Sequence, residues 1–228
     1  LPLVYWLLKR AQYVSDKTSS TDTSPAGTIT VGAPEGGRRL LLKDHRFWLV
    51  LPALLAAPFI LTGVFIHQGF IIEEKAWSSS LMAACFAVYG TMHWLSSMMA
   101  GILVDQWRAA RLLPFYLLPM AAGMFISAEF NGAWVVILMM AALGTTIGSS
   151  VPIFGALWAD IYGTSRLGAI RSLITALMVL SSSVSPALLG YLIDHGASAA
   201  DLLKFMGYYA ISAVLLASFS YRHSSKTD

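Results

Sequence analysis

Long apolar runs separated by short polar turns dominate the chain from residue 47 onward. Six of these runs have the length of a membrane-spanning helix, at about 47–72, 80–104, 112–128, 133–159, 170–193 and 202–221. A helix needs about 20 mostly apolar residues to cross a bilayer. Backbone polar groups in lipid must be paired within their own segment, so each run predicts a helix.

The composition favours a bilayer over a soluble core. Of the 228 residues, 57% are hydrophobic and 12% are charged, whereas soluble domains carry about 25% charged residues. A soluble core of this size has no room for so much apolar surface. The expected fold class is therefore an all-α integral membrane protein with six transmembrane helices. The single cysteine, Cys85, lies in an apolar run and is interpreted as a small buried hydrophobe.

Lysines and arginines divide unequally between the predicted loops. Thirteen fall on the side of residues 1–46: Lys9, Arg10, Lys17, Arg38, Arg39, Lys43, Arg46, Arg108, Arg111, Arg166, Arg171, Arg222 and Lys226. The other side holds two, Lys75 and Lys204. Cytoplasmic loops carry an excess of Lys and Arg, so both chain ends are predicted to be cytoplasmic. We expect a multi-pass protein of the inner (plasma) membrane of a bacterium.

Shorter segments flank the six-helix domain predicted at 47–221. Residues 1–8, LPLVYWLL, are too short to span a bilayer and lack the layout of a signal peptide. They are interpreted as the end of a transmembrane helix truncated upstream. Residues 9–46 are rich in Ser, Thr, Gly and Pro and predict a cytoplasmic linker. Residues 222–228 form a predicted cytoplasmic tail.

An acid and two arginines stand in the loop after the second span, in the stretch GILVDQWRAAR at 101–111. Gly101 lies near the inner end of the span, where a glycine permits close approach of a neighbouring helix. Asp105 is four residues further on and shares a helix face with Gly101. An unpaired carboxylate at the membrane edge is costly, and Arg108 and Arg111 are the nearest candidate partners.

This stretch resembles the charged loop of the major facilitator superfamily, which runs glycine, three residues, acid, then a basic cluster. Gly101 and Asp105 keep the spacing, while Gln106 stands where that family has a basic residue. LWADIYGTSRLGAIRSL at 157–173 resembles the family's loop between helices ten and eleven. SPALLGYLID at 185–194 resembles part of helix eleven. The whole chain thus resembles helices seven to twelve of a twelve-helix carrier, with 9–46 as the central loop.

The resemblance implies two inverted three-helix repeats and secondary transport of a small solute by alternating access. It implies a cytoplasmic charge cluster that closes the carrier and breaks as its two halves rock. The residues implied for this gate are Gly101, Asp105, Arg108, Arg111, Asp160, Arg166 and Arg171. The implied partners are the lipid bilayer, a small-molecule substrate, the N-terminal six-helix half and a coupling proton. A purely topological role for the arginines is the alternative, and one residue can serve both roles.

Small residues recur along the fourth and fifth spans. They are Gly144, Gly148, Pro152 and Gly155, followed by Pro186 and Gly190. Steps of three and four place the first set on one helix face, which lets another helix approach closely. Helix packing is the first interpretation, and bending or gating is the second. The serines between 181 and 185 are expected to bond back to their own helix.

Few ionisable or strongly polar groups stand away from the span ends. The candidates for the substrate cavity are His67, Gln68, Tyr89, His93 and Ser96. Intramembrane ionisable residues are functional candidates by default, because burying them in lipid is costly. A neutral imidazole forms hydrogen bonds, and a protonated one attracts an anion or carries a proton. A structural role for either histidine is the alternative. Small organic acids and amphipathic drug-like molecules both remain open as substrates.

Sequence signatures of other functions are absent. The chain has no Gly-x-Ser-x-Gly, no His-Glu-x-x-His and no phosphate-binding Gly-Lys-Ser/Thr loop, so we expect no enzyme and no cofactor. The histidines have no ligand-spaced Cys or acid, and the basic residues form no nucleic-acid patch. The alternatives to a carrier are a complete six-span channel or receptor-like protein and, less favoured, an intramembrane enzyme acting through His67 or His93.

Overall fold

The computed structural model describes residues 41–164 and 167–221, with the side chain of residue 221 excepted. It contains α1 (His45–Ile66), α2 (Gln68–Glu74), α3 (Ser79–Gln106), α4 (Ala109–Leu112), α5 (Leu118–Glu129), α6 (Ala133–Tyr162), α7 (Leu167–Asp194) and α8 (Ala199–Tyr221). No strand occurs within these ranges. The predicted helix end at 1–8, the linker up to residue 40 and the tail at 222–228 lie outside the described residues.

Four of the described helices are long and apolar enough to cross a membrane. They are α1, α6, α7 and residues Ala199–Ser220 of α8. The expectation of an all-helical, multi-pass membrane protein is confirmed at this level. α3 has 28 residues, but Thr91, His93 and the serines at 96–97 dilute its apolar character. α5 has only 12 residues, which is short for a span.

Two of the predicted spans are interrupted. The helix predicted over 47–72 bends at His67, between α1 and α2, where the imidazole is tied to the neighbouring helix α7. The helix predicted over 112–128 begins at Leu118, after tight turns at 113–117. Pro114 and Pro119 have no N–H group, so a continuous helix through both would lose two backbone hydrogen bonds.

The long helices pack in five main pairs. α1 lies against α7 and α8, and α6 lies against α3 and α5. The fifth pair is α5 with α8. It connects α1 and its two partners to α6 and its two partners. The sequence indicates which faces are apolar but not these partners, because pairing depends on contacts between residues distant in the chain.

Side-chain contacts give the direction of each pair. Ser181 donates to the carbonyl of Leu55 and Ser185 to that of Phe59, so α7 runs parallel to α1. In the same way Gly144 lies beside Tyr89 and Gly148 beside His93, so α6 runs parallel to α3.

The remaining pairs are antiparallel. Ser220 at the end of α8 donates to the carbonyl of Arg46 at the start of α1. Glu74, just beyond α1, accepts from the backbone N–H of Ala199, at the start of α8. α5 also runs against both of its partners. Glu129 pairs with Lys204 and Phe125 packs on Tyr208 of α8. Gly123 meets Ala142 of α6, while Tyr116, just before α5, packs on Phe154 of α6.

These directions give the bundle two ends. The first, here called the arginine end, holds the start of α1, the 107–117 turn, the end of α6 and the start of α7. The second, the lysine end, holds the turns at 75–78, 130–132 and 195–198. At the arginine end Tyr162 donates to the Asp44 carboxylate over 2.7 Å, joining the end of α6 to the start of α1.

Candidate functional site

The seam between α3 and α6 brings together several of the predicted cavity and packing residues. A methyl group added at Gly144 would strike the carbonyl oxygen of Tyr89, and one at Gly148 would strike that of His93. The two backbones therefore touch where the side chains are absent. Ser96 donates across the seam to the carbonyl of Gly144 over 3.4 Å and to His93 on its own helix over 3.2 Å.

An aromatic cluster lies next to His93. The imidazole stacks on the Tyr89 ring at 6.0 Å between centroids, with 28° between the planes. Phe65 of α1 meets Tyr89 edge-on at 5.6 Å and Phe86 at 5.1 Å. The ring of His93 is half-buried. Tyr89, His93 and Ser96 thus form one polar stripe facing protein, with donors and acceptors that suit a small hydrogen-bonding solute.

His67 lies in a different seam, between α1 and α7. Its Nε2 is 3.1 Å from the carbonyl oxygen of Pro186. A carbonyl oxygen only accepts, so Nε2 carries the hydrogen and donates. Gly190, one turn beyond Pro186, leaves room for the ring, since a methyl group there would lie 3.7 Å from it. Gln68 is half-buried next to this contact.

The two histidines are therefore not part of one site. His67 joins α7 to the bend after α1, and His93 stacks within the α3–α6 seam. The described part of the chain contains no group of three His, Cys, Asp or Glu side chains that could hold a metal ion.

The serines of α7 behave in two ways. Ser182 and Ser183 donate back to the carbonyl of Val179, as expected. Ser181 and Ser185 instead donate to α1 carbonyls, over 3.0 and 2.7 Å. Ser185 is fully buried. The i, i+4 spacing of these two serines was a signal for an interhelical contact, but the partner helix could not be read from the sequence.

The charged residues predicted for the gate lie at the arginine end. Asp105, Arg108, Arg111, Asp160 and Arg171 are all exposed. None of them forms an ion pair within the described residues. Gly101 has open space where a methyl group would stand. Arg166, which was also predicted for the gate, lies outside the described residues.

Further along α6, the small residues meet a different neighbour. A methyl group at Gly155 would lie 3.4 Å from the guanidinium of Arg171. Pro152 lies within α6, half-buried, and the helix continues through it to Tyr162. The glycine face of α6 therefore meets α3 at Gly144 and Gly148, and the Arg171 side chain at Gly155.

The lysine end holds a network that sequence reasoning missed. Lys75 is only 8% exposed, and its Nζ donates to the Ala128 carbonyl over 2.6 Å and to Asn131 over 3.0 Å. Burial lowers the pKa of the Lys75 ammonium below its ordinary value of 10.5, an effect that the charges of Glu129 and Glu74 partly offset. No local pattern marks a loop lysine as buried.

A second lysine at the same end is also paired. Lys204 forms an ion pair with Glu129 over 2.8 Å, the only ion pair within the described part of the chain. Trp77 donates its ring N–H to the Asn131 carbonyl over 3.1 Å. The turns at this end are therefore joined to one another and to the ends of α5 and α8.

No family model matches the chain, and no curated protein sequence matches it.

Proposed function

We propose that the chain is the C-terminal half of a secondary carrier of the major facilitator type, which moves a small solute by alternating access. The observation that supports this most strongly is a symmetry in helix packing. Exchanging α1 with α6, α3 with α7 and α5 with α8 turns each of the five helix pairs into another of the five, or into itself. Carriers built from two inverted repeats have this property.

The directions of the helices support the inverted relation. α1 is parallel to α7, as α6 is to α3, and α1 is antiparallel to α8, as α6 is to α5. α5 and α1 are both antiparallel to α8, so they are parallel to each other. Because α6 is antiparallel to α5, α1 and α6 point in opposite directions. In this proposal α1, α3 and α5 form one repeat and α6, α7 and α8 form the other.

Six crossings require α3 and the 109–129 segment to span the bilayer in addition to the four apolar helices. α3 is long enough at 28 residues. The turns at 113–117 interrupt the other segment, but Leu113, Tyr116 and Leu117 are each less than 5% exposed. Irregular backbone is tolerated at membrane depth where protein covers it.

The exposed charges at the arginine end fit the gate of this proposal. Asp105, Arg108 and Arg111 have no ion-pair partner within the described residues, so they are free to pair with a facing half. Exposed ion pairs contribute about 0–1 kcal/mol each. Such weak pairs suit a contact that must break on every transport cycle.

The polar stripe of α3 is the proposed substrate contact. His93 and Tyr89 offer stacking and hydrogen bonds near the middle of the α3 sequence, and no lysine, arginine or carboxylate lies near them on that helix. The substrate class stays open between small organic acids and amphipathic drug-like molecules. A coupling proton would use a histidine of this half or a group in the other half.

The proposed sidedness follows the excess of cations at the arginine end. We place that end, and both chain termini, in the cytoplasm, and we place the protein in the inner membrane of a bacterium.

Transport into vesicles tests the proposal. The carrier containing both halves is reconstituted and screened with small organic acids and drug-like molecules, with and without a pH gradient. We expect accumulation of at least one solute and a loss of that uptake in His93→Ala. Solute flux through vesicles that hold only these 228 residues would contradict the half-carrier proposal and favour a complete six-span channel.

Asp105→Asn provides a second test, of the gate. The substitution removes a charge that would pair with the facing half, so the transport rate of the reconstituted carrier should fall by up to about five-fold, since an exposed pair contributes about 0–1 kcal/mol. Membrane insertion should be unchanged. Glu73→Gln, at an exposed acid of the lysine end, is the matched control. Equal uptake kinetics for Asp105→Asn and the parent would remove Asp105 from the gate.

A further inference from the structure

The cations of the two ends differ in what they contact. At the lysine end both have protein partners: Lys75 is buried on Ala128 and Asn131, and Lys204 is paired with Glu129. At the arginine end the described cations are exposed and lack an acidic partner within the described residues: Lys43, Arg46, Arg108, Arg111 and Arg171. The arginine end thus presents positive charge that this part of the protein does not neutralise.

The turn at 107–115 concentrates this charge between two aromatic rings. Trp107, which follows the last residue of α3, is 55% exposed, and Phe115, at the far side of the turn, is 64% exposed. Arg108 and Arg111 stand between them, three residues apart and both exposed. Arg108 caps the start of α4 and Arg111 lies in its last turn, so both cations belong to one short segment.

The apolar residues of this turn pack against the bundle. Ala109, Leu112 and Leu113 are buried, with at most 8% exposure, and α4 packs on α6. The N–H of Arg111 donates to the carbonyl of Arg108 over 2.9 Å. The apolar residues therefore pack the turn against the bundle, while both arginines and both rings stay exposed.

We propose that Trp107, Arg108, Arg111 and Phe115 bind the phosphate headgroup of an anionic membrane lipid. Guanidinium groups bind phosphate through paired hydrogen bonds. Aromatic rings at the ends of membrane helices lie among the headgroups and the first acyl carbons. A free phosphate would satisfy the arginines but leave both rings in water, so a lipid is the occupant that accounts for all four side chains.

The acids at this end do not cancel the charge. Asp44 accepts from the Arg46 backbone N–H and from Tyr162 and keeps its negative charge. With the exposed Asp105 and Asp160 it gives three acids against the five cations. Arg108 and Arg111 are also residues of the proposed gate, so in the carrier the lipid would hold them only while the gate pairs are broken. The inference itself rests on the helices crossing a bilayer and not on solute transport, so the two proposals can fail separately.

Lipid retention measured by native mass spectrometry tests the site. The 228-residue chain is purified in detergent with equal amounts of phosphatidylglycerol and phosphatidylcholine that carry the same acyl chains. We expect preferential retention of phosphatidylglycerol. Arg108→Gln and Arg111→Gln should each reduce that preference about five-fold, the effect expected of one cation near an anionic surface. Lys204→Gln, which removes one charge at the lysine end, should leave it unchanged.

Two further measurements keep the test decisive. The double variant Arg108→Lys/Arg111→Lys keeps both charges but loses the paired guanidinium hydrogen bonds, so it should retain more of the preference than either Gln variant and less than the parent chain. Circular dichroism checks that each variant remains helical. Equal retention of the two lipids by the parent chain would overturn the proposal, as would an equal loss in Lys204→Gln. Displacement of the lipid by excess soluble glycerol phosphate would assign the site to free phosphate and would also overturn it.

Discussion

Several side chains from neighbouring segments each donate a hydrogen bond to a backbone carbonyl of α1. Ser181 and Ser185 of α7 donate to it, as do Tyr116 and, from α8, Tyr209. Pro52 and Pro58 lie inside α1 and lack an N–H group, so the carbonyls one turn before them lose their usual donor. The side chains bond other carbonyls of α1, those of Pro52, Ala53, Leu55 and Phe59, so they join α1 to three neighbouring segments without replacing the two lost bonds.

Ser185→Ala tests the contribution of one such bond. Ser185 is fully buried and its hydroxyl donates over 2.7 Å to the carbonyl of Phe59. We expect the free energy of unfolding to fall by about 0.6–1.5 kcal/mol, the range for interhelical hydrogen bonds in membrane proteins. Ser183→Ala, which removes an exposed bond within α7, should change it by less. Steric-trapping measurements in bicelles provide the comparison, and equal effects would contradict the interhelical role.

At the scale of elements, close contact between α3 and α6 depends on two glycines of α6. Gly144 and Gly148 meet the α3 backbone directly, so neither position has room for a side chain. Gly101 on α3 is different, because open space surrounds the position of its missing methyl group within the described residues. The same residue type therefore has different structural roles on the two helices.

Gly148→Ala should separate α3 from α6. The added methyl would overlap the carbonyl of His93 and the hydroxyl of Ser96, and overpacking of this kind costs about 1–3 kcal/mol. Gly101→Ala is the matched control: its methyl group meets open space, and the higher helix propensity of alanine should leave the free energy of unfolding unchanged or raise it by up to about 1 kcal/mol. Thermal unfolding of both variants in detergent measures the difference. A neutral Gly148→Ala would show that the two backbones do not touch.

The 75–78 turn depends on Lys75 in a comparable way. Lys75→Met leaves the Ala128 carbonyl and the Asn131 side chain without their donor, so the free energy of unfolding should fall by about 1–3 kcal/mol. Lys204→Met breaks only an exposed ion pair and should cost about 0–1 kcal/mol. Similar losses in the two variants would argue against a buried lysine.

The pH dependence of the parent chain provides an independent check on Lys75. Because burial lowers its pKa in the folded state, the unfolded chain binds more protons between that pKa and 10.5. The contribution of Lys75 to the free energy of unfolding should therefore rise with pH in this window. The difference in the free energy of unfolding between the parent chain and Lys75→Met should grow accordingly, and chemical unfolding curves of both at a series of alkaline pH values would measure it.

At the scale of the whole molecule, the two ends of the bundle differ in their internal connections. Lys75, Lys204 and Glu74 join the turns of the lysine end to neighbouring helices. The predicted gate residues at the arginine end have no such ion pairs within the described residues. The bundle is therefore more strongly cross-linked at one end, and in the proposed carrier the opposite end would be free for contacts with the other half.

Sided labelling tests the six crossings. Cys85 is replaced by Ala, and single cysteines are introduced at Thr164 and Gln106 on the arginine end and at Ala76 and Gly196 on the lysine end. In oriented vesicles, a membrane-impermeant maleimide should label each pair from one face only, and the two pairs from opposite faces. Labelling of Gln106→Cys and Thr164→Cys from opposite faces would eliminate the alternating arrangement and the carrier proposal with it.

Much of the architecture was already present in the sequence. Four helices long and apolar enough for a bilayer follow from runs of apolar residues, because a helix satisfies its own backbone and needs no partner to be recognised. The division of lysines and arginines between the two ends of the bundle also follows from the sequence, because the turns that carry them lie between the apolar runs. The gate and cavity residues were selected by type and position, and their roles stay predictions.

Only the tertiary structure decided what those residues touch. It separated His67 from His93, turned Ser181 and Ser185 towards α1, buried Lys75 and interrupted two predicted spans at His67 and before Leu118. Each of these outcomes depends on residues more than 50 positions apart, or on a balance between lost backbone bonds and packing gained elsewhere. A local pattern records which residues are apolar or polar, whereas the identity of a contact partner is fixed only when all the helices pack together.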